Sequence, residues 1–453
     1  MKRIIFITAL IAILVVPVFV SCATNKVAGG QTDDKSRILP VAGTGRYYSA
    51  NYDSNWEKYK IRENVTSQDI VLEMGMGINM GNTLEATDMP YNRWVNAKTI
   101  EDYIRCWGAV VPTQELIQTY ADAGFDSLRI PVAWSNLMDM NGYIVHKPLL
   151  DLVENVIDWT IDAGMVAVVN MHWDGGWYNR SQDWDKGGEF RKGGWDDPDD
   201  KKESVKRYIA IWTQVSRQFE KFGDRLIFES GNEWEFPSLY NQWDSKRNSP
   251  AHKKAAFDLM MEIDQIFVDT VRGTGGNNAT RHLLVQSYQT NDALAYDPLF
   301  RMPNDPANRL ILSVHYYTPT PFTIADVDNS GKGPSWASKP PVYWGNPTEV
   351  ANLIRDFDRL KENVVDKGIP VIIGEFGPPG RNKYKTIFGG PGEEVWFEQK
   401  AIYVVAVAEA AYSRGMCPML WDTPGGELFR PALIWRDPPF ISKLMAIKER
   451  HPR

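Results

Sequence analysis

Two glutamates each follow a short apolar run at the point where that run ends. The first lies in Leu226-Ile-Phe-Glu-Ser-Gly-Asn-Glu233 and the second in Val371-Ile-Ile-Gly-Glu375. A carboxylate beside such a run is costly to bury unless something pairs with it. Two carboxylates that flank a sugar bond can act as acid/base and nucleophile in glycoside hydrolysis. Taken alone, either glutamate would be better explained as part of a buried structural salt bridge.

Strand-like and helical runs alternate along most of the chain. The predicted strands are Gly75–Met80, Ser127–Pro131, Val166–Met171, Leu226–Glu229, His282–Gln286, Leu310–Val314, Val371–Ile373 and Pro418–Leu420. The predicted helices are Thr113–Ala123, Leu149–Ala163, Ser204–Phe222, Ala255–Val271, Glu349–Val365 and Trp396–Ser413. This alternation predicts an α/β fold, and eight strands predict a closed (β/α)8 TIM barrel. An open doubly wound sheet is the competing fold, but no glycine-rich phosphate loop follows the first strand.

In such a barrel, the residues that follow each strand lie together at one mouth. Functional groups are found at this C-terminal face of the strands, whereas the opposite face contributes stability. The polar and aromatic residues at the predicted strand ends are Asn79, Asn82, Arg129, His172, Asn232, Glu233, His315, Tyr317, Glu375 and Trp421. Residues scattered over the whole chain are therefore expected to form one active site.

From about Met74 to Ile434 the chain resembles glycoside hydrolase family 5, and its bacterial endoglucanase branch in particular. Seven strings in the right order carry the resemblance: Gly77-Ile-Asn-Met-Gly-Asn-Thr-Leu-Glu85, Arg129-Ile-Pro-Val, Val169-Asn-Met-His172, Gly231-Asn-Glu233, His315-Tyr-Tyr317, Gly374-Glu-Phe-Gly377 and Leu420-Trp-Asp422. Two positions depart from the family pattern. Trp234 stands where the family usually has proline, and Trp173 where many relatives have a second histidine.

The resemblance implies a retaining enzyme with Glu375 as nucleophile and Glu233 as acid and then base. Arg129 and Tyr317 would keep Glu375 ionised, and a raised pKa would keep Glu233 protonated. Asn232 would bind the sugar 2-hydroxyl, although a turn residue that caps local backbone is its alternative explanation. The further supporting and substrate-binding residues are His172, His315, Trp421, Asn82 and Glu85. A structural histidine or a core tryptophan is the alternative for His172, His315 and Trp421.

Aromatic residues in long loops predict a groove for a polymer. The chain has 17 tryptophans among 453 residues, and flat rings stack well on sugars. The groove candidates are Trp173, Trp177 and Trp184, with Tyr178, Trp195, Trp234, Phe236, Tyr240, Trp243, Trp336 and Trp344 in the same or neighbouring loops. Loops this long are usually functional, and a protein-binding patch is the alternative.

Composition excludes some partners. The formal net charge of −7 argues against nucleic acid, whose phosphates call for a basic face. No cofactor is predicted, and the acidic run over residues 196–200 is better explained as solvated surface than as a calcium site. Cys106 and Cys417 are not spaced as metal ligands, and the sequence leaves open whether they pair. A monomer is expected.

The N-terminus predicts export. Lys2 and Arg3 precede an apolar run from Ile4 to Val20 that is short for a membrane span. The run ends before Cys22 as in a bacterial lipoprotein signal, with a simple secretory signal or an uncleaved anchor as alternatives. We predict a signal peptide over residues 1–22, a flexible tether over 23–36, an N-terminal extension over 37–73 and the barrel over 74–453. The protein would be lipid-anchored to a bacterial membrane through Cys22.

The predicted function is a retaining endo-β-1,4-glucanase that acts on cellulose-like or mixed-linkage β-glucan. A xyloglucanase or β-mannanase of the same family is the alternative within this chemistry. A non-catalytic carbohydrate-binding lipoprotein is the alternative from a different class, and the presence of both glutamates argues against it.

Overall fold

The computed structural model describes residues 58–87, 97–172, 194–196, 198–326, 332–378 and 392–453. All of them belong to one compact unit, Gly43–Arg453. The predicted signal peptide, the tether and Cys22 lie outside the described residues, as do Trp173, Trp177 and Trp184. Their predicted roles therefore stay predictions.

Eight parallel strands close into a barrel, which confirms the predicted (β/α)8 fold. They are β1 (Gly77–Met80), β2 (Ser127–Ile130), β3 (Val166–Asn170), β4 (Leu226–Glu229), β5 (Leu283–Asn291), β6 (Leu310–Tyr316), β7 (Val371–Phe376) and β8 (Cys417–Asp422). Each strand pairs with the next one along the chain, and β8 closes the barrel against β1. The observed β6, β7 and β8 extend two or three residues beyond their predicted ends, so the residues of the predicted site lie within strands as well as after them.

Helices cover the outside of the barrel. The described helices are α1 (Ser67–Glu73), α2 (Ile100–Cys106), α3 (Gln114–Asp122), α4 (Lys147–Asp162), α5 (Pro198–Gln218), α6 (Pro250–Gly273), α7 (Thr320–Thr323), α8 (Pro347–Asn363), α9 (Gly392–Tyr412) and α10 (Pro438–Arg450). Several begin at sequence signals for a helix start, such as the capping boxes of Thr66 with Asp69 and Asn346 with Glu349. In the part of the chain that the structure describes, no helix is long and apolar enough to cross a membrane.

Because side chains alternate between the two faces of each strand, the hydrophobic core has an inner part inside the barrel and an outer part between the strands and the helices. Val168, Ile227, Leu284, Ile311 and Ile372 pack together inside the barrel, whereas their strand neighbours pack against the helices. Because side chains alternate with a period of two, the next inward positions toward the mouth follow directly from these residues. They are Asn170, Glu229, Gln286, Ser313 and Gly374. The inner wall is therefore apolar at the bottom and polar near the mouth.

Helix α1 closes the bottom of the barrel. Ile70, Val71 and Met74 are fully buried in the inner core. Ser67 also contacts the barrel through a 3.0 Å hydrogen bond between its Oγ and Nδ1 of His282. Residues 58–73, the described part of the predicted N-terminal extension over 37–73, thus supply side chains to the interior of the barrel.

A bulge in β7 turns Glu375 toward the barrel axis. Val314 of β6 pairs with Ile373, but His315 pairs with Glu375, so Gly374 is an extra residue in the strand. A bulge of this kind shifts the alternation by one residue and re-aims the side chains that follow. A Cβ at Gly374 would lie 2.8 Å from the Ser313 hydroxyl and 3.1 Å from Nε2 of His315. A larger residue here would displace Ser313 or His315, so glycine suits the position. The register shift leaves Glu375 facing inward.

Candidate active site

A buried arginine organises the floor of the mouth. Arg129 on β2 is fully buried and donates from Nη1 to Glu375 at 2.8 Å and from Nη2 to the Asn232 side chain at 2.7 Å. Its Nε donates to Glu229 at 2.6 Å, and Nη1 also donates to the side-chain oxygen Oδ1 of Asn79 at 3.0 Å. A buried cation is tolerated only when it is paired and hydrogen-bonded, and this fork meets both conditions. The arginine therefore fixes Glu375 and Asn232 relative to each other.

His315 lies between the two predicted catalytic carboxylates. Its Nδ1 is 2.8 Å from Oε1 of Glu233 and 3.7 Å from Oε2 of Glu375. The Tyr317 hydroxyl donates to Glu375 at 3.0 Å, which gives this carboxylate donors from two sides. A carboxylate oxygen of Glu233 lies within 4.8 Å of one of Glu375. The side chain of Glu375 is 6% exposed and that of Glu233 is 47% exposed, so Glu233 lies nearer the solvent.

The protein shifts the pKa values of the two carboxyl groups in opposite directions. Burial raises the pKa of Glu375, with Glu233 adding to the rise, although the charges of His315 and Arg129 act the other way. Desolvation deep in the mouth would raise the pKa of Glu233 too, despite its half-exposed side chain. There the hydrogen bond and charge of His315, together with Arg129, outweigh desolvation and lower the pKa. The raised pKa predicted for Glu233 is therefore wrong for the substrate-free protein, because the sequence did not reveal how closely His315 contacts it.

One wall of the mouth is formed by stacked rings. His172 and Trp421 are nearly parallel, with their ring centroids 5.6 Å apart. Nε2 of His172 lies 4.0 Å from Glu375, and burial, together with the charges of Arg129 and His315, lowers the pKa of His172 well below its usual range. A neutral imidazole is thus expected beside the nucleophile candidate. Trp421 is only partly buried, as a surface for a sugar requires.

Glu85 supports the loop after β1 and does not face the groove. It is fully buried, and its carboxylate accepts hydrogen bonds from the backbone N–H groups of Asn82 and Thr83. These bonds hold Asn82 at a φ of 55°, a conformation that costs energy for a residue other than glycine. Arg430 reinforces the loop through bonds to the Gly81 carbonyl at 2.9 Å and the Thr83 hydroxyl at 2.7 Å. Burial raises the pKa of Glu85 to about 7, with Arg430 opposing it.

Glu85 should make the protein less stable as the pH rises through neutrality. Between its ordinary value of 4.5 and about 7, the native state keeps a proton that the unfolded chain has lost. The free energy of unfolding therefore falls across this window, by on the order of 3 kcal/mol. Glu85→Gln has no proton to lose in this window, so its melting temperature should fall less between pH 5 and pH 8 than that of the native protein. Melting curves across this range test the expectation, with the exposed Glu449→Gln as control; equal pH slopes for Glu85→Gln and the native protein would contradict it.

Several aromatic residues predicted for the groove are buried instead. Trp195, Trp234, Phe236 and Trp344 are core residues, since they pack under the loops against helices and strands. Trp243 is 88% exposed, Trp336 is exposed, and Tyr240 is partly buried. Cys106 and Cys417 do not pair with each other, and Cys417 lies inside the barrel.

One residue of the network, Glu229, was not assigned to the site from the sequence, whereas Asn79 was placed at the mouth without a stated role. Glu229 is the second carboxylate on Arg129, and Asn79 joins Arg129 to the Gly374 carbonyl through its amide, 2.8 Å away. The signal for Glu229 was present, because it is the inward position that follows Ile227 on β4.

Glu233, His315 and Glu375 also include the ligand types of a metal site. Arg129 already supplies the positive charge there, so the arrangement favours acid–base chemistry.

Comparisons with known proteins agree with this geometry. The family model for cellulase (glycosyl hydrolase family 5) matches residues 85–422. A xyloglucan-specific endo-β-1,4-glucanase of Bacteroides ovatus is 31% identical over 79% of the chain; the chain spans 65% of that protein, just under two thirds of its length. Endoglucanase A of Paenibacillus barcinonensis is 32% identical over 79% of the chain and 82% of its own length. The solved structure of a family 5 lichenase from Caldicellulosiruptor superposes with a TM-score of 0.70 at 28% identity, covering 87% of this chain and 97% of that one.

The chain is a glycoside hydrolase, as its closed parallel barrel, the paired carboxylates at the C-terminal mouth and its relatives together indicate. The chain belongs to glycosyl hydrolase family 5, as the seven strings of the sequence indicate.

Proposed function

We propose that this protein is a retaining endo-β-1,4-glucanase that works by double displacement. The observation that carries the proposal is the approach of Glu233 and Glu375 to within 4.8 Å, oxygen to oxygen. Retaining glycosidases hold their carboxyl groups about 5–5.5 Å apart, whereas inverting enzymes leave roughly 6.5–9.5 Å for a water molecule. The gap in this mouth suits direct attack on the sugar by one carboxylate.

In the first step, an oxygen of Glu375 attacks the anomeric carbon while the glycosidic bond breaks. Glu233 gives its proton to the leaving oxygen, and a glycosyl ester forms on Glu375 with inverted configuration. Asn232 is held by Arg129 with its carbonyl occupied, so its amide N–H groups are available to the sugar 2-hydroxyl. In the second step Glu233 takes a proton from water, the water oxygen attacks the same carbon, and Glu375 leaves.

Substrate binding has to change which of the two carboxyl groups, Glu375 or Glu233, holds the proton. Two carboxyl groups this close titrate as a pair and share one proton. In the substrate-free protein the pKa of Glu375 is raised and that of Glu233 is lowered. The reaction therefore requires that the bound sugar leaves the shared proton on Glu233, beside the leaving oxygen, before the glycosidic bond breaks. The positive charge that then develops at the anomeric carbon stabilises ionised Glu375.

The glycan is proposed from the relatives and the mouth together. The Bacteroides relative is xyloglucan-specific and the Paenibacillus relative is an endoglucanase, so a β-1,4-linked glucan backbone is the common feature. Trp421 and His172 offer a flat surface beside the carboxylates for one glucosyl unit. Cellulose-like or mixed-linkage β-glucan is therefore our first choice, with xyloglucan next and β-mannan third.

Product analysis on pure polysaccharides tests this function. We expect internal cleavage of a β-1,4-glucan, seen as a rapid fall in viscosity with oligosaccharide products. Proton NMR during early hydrolysis should show the β-anomer first, because double displacement retains configuration. The α-anomer as first product would refute the retaining assignment. Cleavage of mannan or xyloglucan but not of unsubstituted glucan would move the proposal to those substrates.

A further inference from the structure

The candidate acid/base Glu233 has a strained backbone. Its φ is 51°, in the left-handed region that residues with a Cβ avoid. Such a conformation persists only where the surrounding structure holds it, and it is found preferentially at functional sites. In this conformation the Glu233 carboxylate reaches Nδ1 of His315 at 2.8 Å. The contacts that hold the peptide after Glu233 therefore also direct the Glu233 carboxylate.

The next residue, Trp234, is held on both sides of its backbone. Its N–H donates to the side-chain oxygen of Gln286 at 3.2 Å, and its carbonyl accepts from the backbone N–H of Gln289 at 3.0 Å. The Trp234 indole is fully buried, with its ring centroid 6.0 Å from that of Trp195 and 5.4 Å from that of Tyr208. The N–H and the carbonyl are thus both anchored to β5, and the side chain is anchored by its packing against Trp195 and Tyr208.

Gln286 supplies the hydrogen-bond acceptor that the backbone N–H of Trp234 requires. A proline in this position would have no N–H, but tryptophan has one, and a buried N–H without an acceptor is costly. Gln286 is fully buried on β5, where its side chain can supply the acceptor. Gly231 makes room for it, because a Cβ there would lie 2.4 Å from the Gln286 amide nitrogen and 2.7 Å from the Trp234 ring. Gly231, Trp234 and Gln286 therefore fit together as one local arrangement.

We propose that Gln286 is a positioning residue for the acid/base glutamate. It touches neither sugar nor reacting atoms; it fixes the peptide after Glu233 and thereby the direction of the Glu233 carboxyl group. This inference rests on the proposed function, since it requires Glu233 to transfer protons. Loss of the acceptor should therefore impair proton transfer by Glu233 while leaving Glu375 and substrate binding intact.

The test is Gln286→Met, which keeps the length of the side chain and removes the acceptor. On β-glucan, where the leaving oxygen needs a proton, kcat should fall by on the order of 10- to 100-fold with KM unchanged. On an activated aryl cellobioside with azide present, neither step needs Glu233, and the rate should change by less than about threefold. Azide should also yield a β-glycosyl azide with this variant, because an anion replaces the water that Glu233 no longer activates well.

Two further variants make the comparison specific. Gln286→Glu keeps an acceptor in the same place, since burial favours its neutral form, and should retain the native ratio of activity on the two substrates. Ser313→Ala alters the residue on β6 that pairs with Gln286. Ser313 is buried too, but its hydroxyl has no hydrogen-bond partner among the described residues. The ratio for Ser313→Ala should be native as well. These two variants keep the proposal testable even if Gln286→Met does not fold.

The outcomes separate this inference from the proposed function. A native enzyme without activity on any β-glycan would refute the function itself. A native enzyme that is active, with Gln286→Met losing the same factor on both substrates or losing nothing, would overturn the positioning role alone. So would a Gln286→Glu variant with a selective loss on polymer, because its acceptor is retained.

Discussion

Glu375→Ala should abolish turnover, and azide should restore it with a diagnostic product. Without the carboxylate nothing attacks the anomeric carbon, so the rate on an activated β-aryl glycoside should fall by on the order of 10⁴-fold or more. Azide fits the space left by the carboxylate and attacks the same face of the sugar. The product should be an α-glycosyl azide, inverted relative to the substrate, which NMR identifies directly.

The pocket of this variant should stay intact, because Arg129 retains Glu229 at 2.6 Å as its counter-charge. Glu229→Gln is the matched control, since it also removes a carboxylate from Arg129 but one that cannot reach the sugar. Azide should not rescue any loss in that control. Formation of a β-glycosyl azide by Glu375→Ala would instead identify Glu375 as the acid/base and exchange the two roles.

The barrel was predictable because its strands are buried on both faces. Runs such as Val166–Asn170 and Val371–Ile373 are nearly continuous in apolar residues, which distinguishes them from the helices that follow. The inward direction of Glu375 was not predictable in the same way. It depends on the bulge at Gly374, and the bulge is a property of the pairing between β6 and β7. A single strand does not encode it.

The tryptophans show a second limit of local patterns. Trp234 and Trp243 lie in one aromatic, polar loop, yet the first is fully buried and the second is 88% exposed. What separates them is contact with Trp195 and Tyr208, which are distant in the sequence from Trp234. Burial of an aromatic residue is decided by tertiary packing, and the loop alone carries no periodicity that would reveal it. The pKa of Glu233 has the same kind of origin, since His315 comes from another strand.

Glu233→Ala should separate the two halves of the reaction. Formation of the glycosyl-enzyme needs an acid only when the leaving group is poor, so an activated aryl glycoside should still glycosylate Glu375 at a substantial rate. The second step needs the base, and it should become limiting, which gives a burst of released phenol followed by slow turnover. Polymer hydrolysis, which needs the proton in the first step, should fall by on the order of 10²–10⁴-fold.

Azide distinguishes this variant from Glu375→Ala. It attacks the ester on Glu375 without a base, so it should speed turnover and give a β-glycosyl azide of retained configuration. The rate should also lose its dependence on the protonation of Glu233, the group whose pKa His315 lowers in the substrate-free protein. His315→Gln, with Glu233 kept, is the control: it should shift the pH profile without producing a burst. An equal loss of activity on polymer and on the activated substrate, with no burst, would show that Glu233 is not the proton donor. A group that protonates the leaving oxygen must matter more when that oxygen belongs to a poor leaving group.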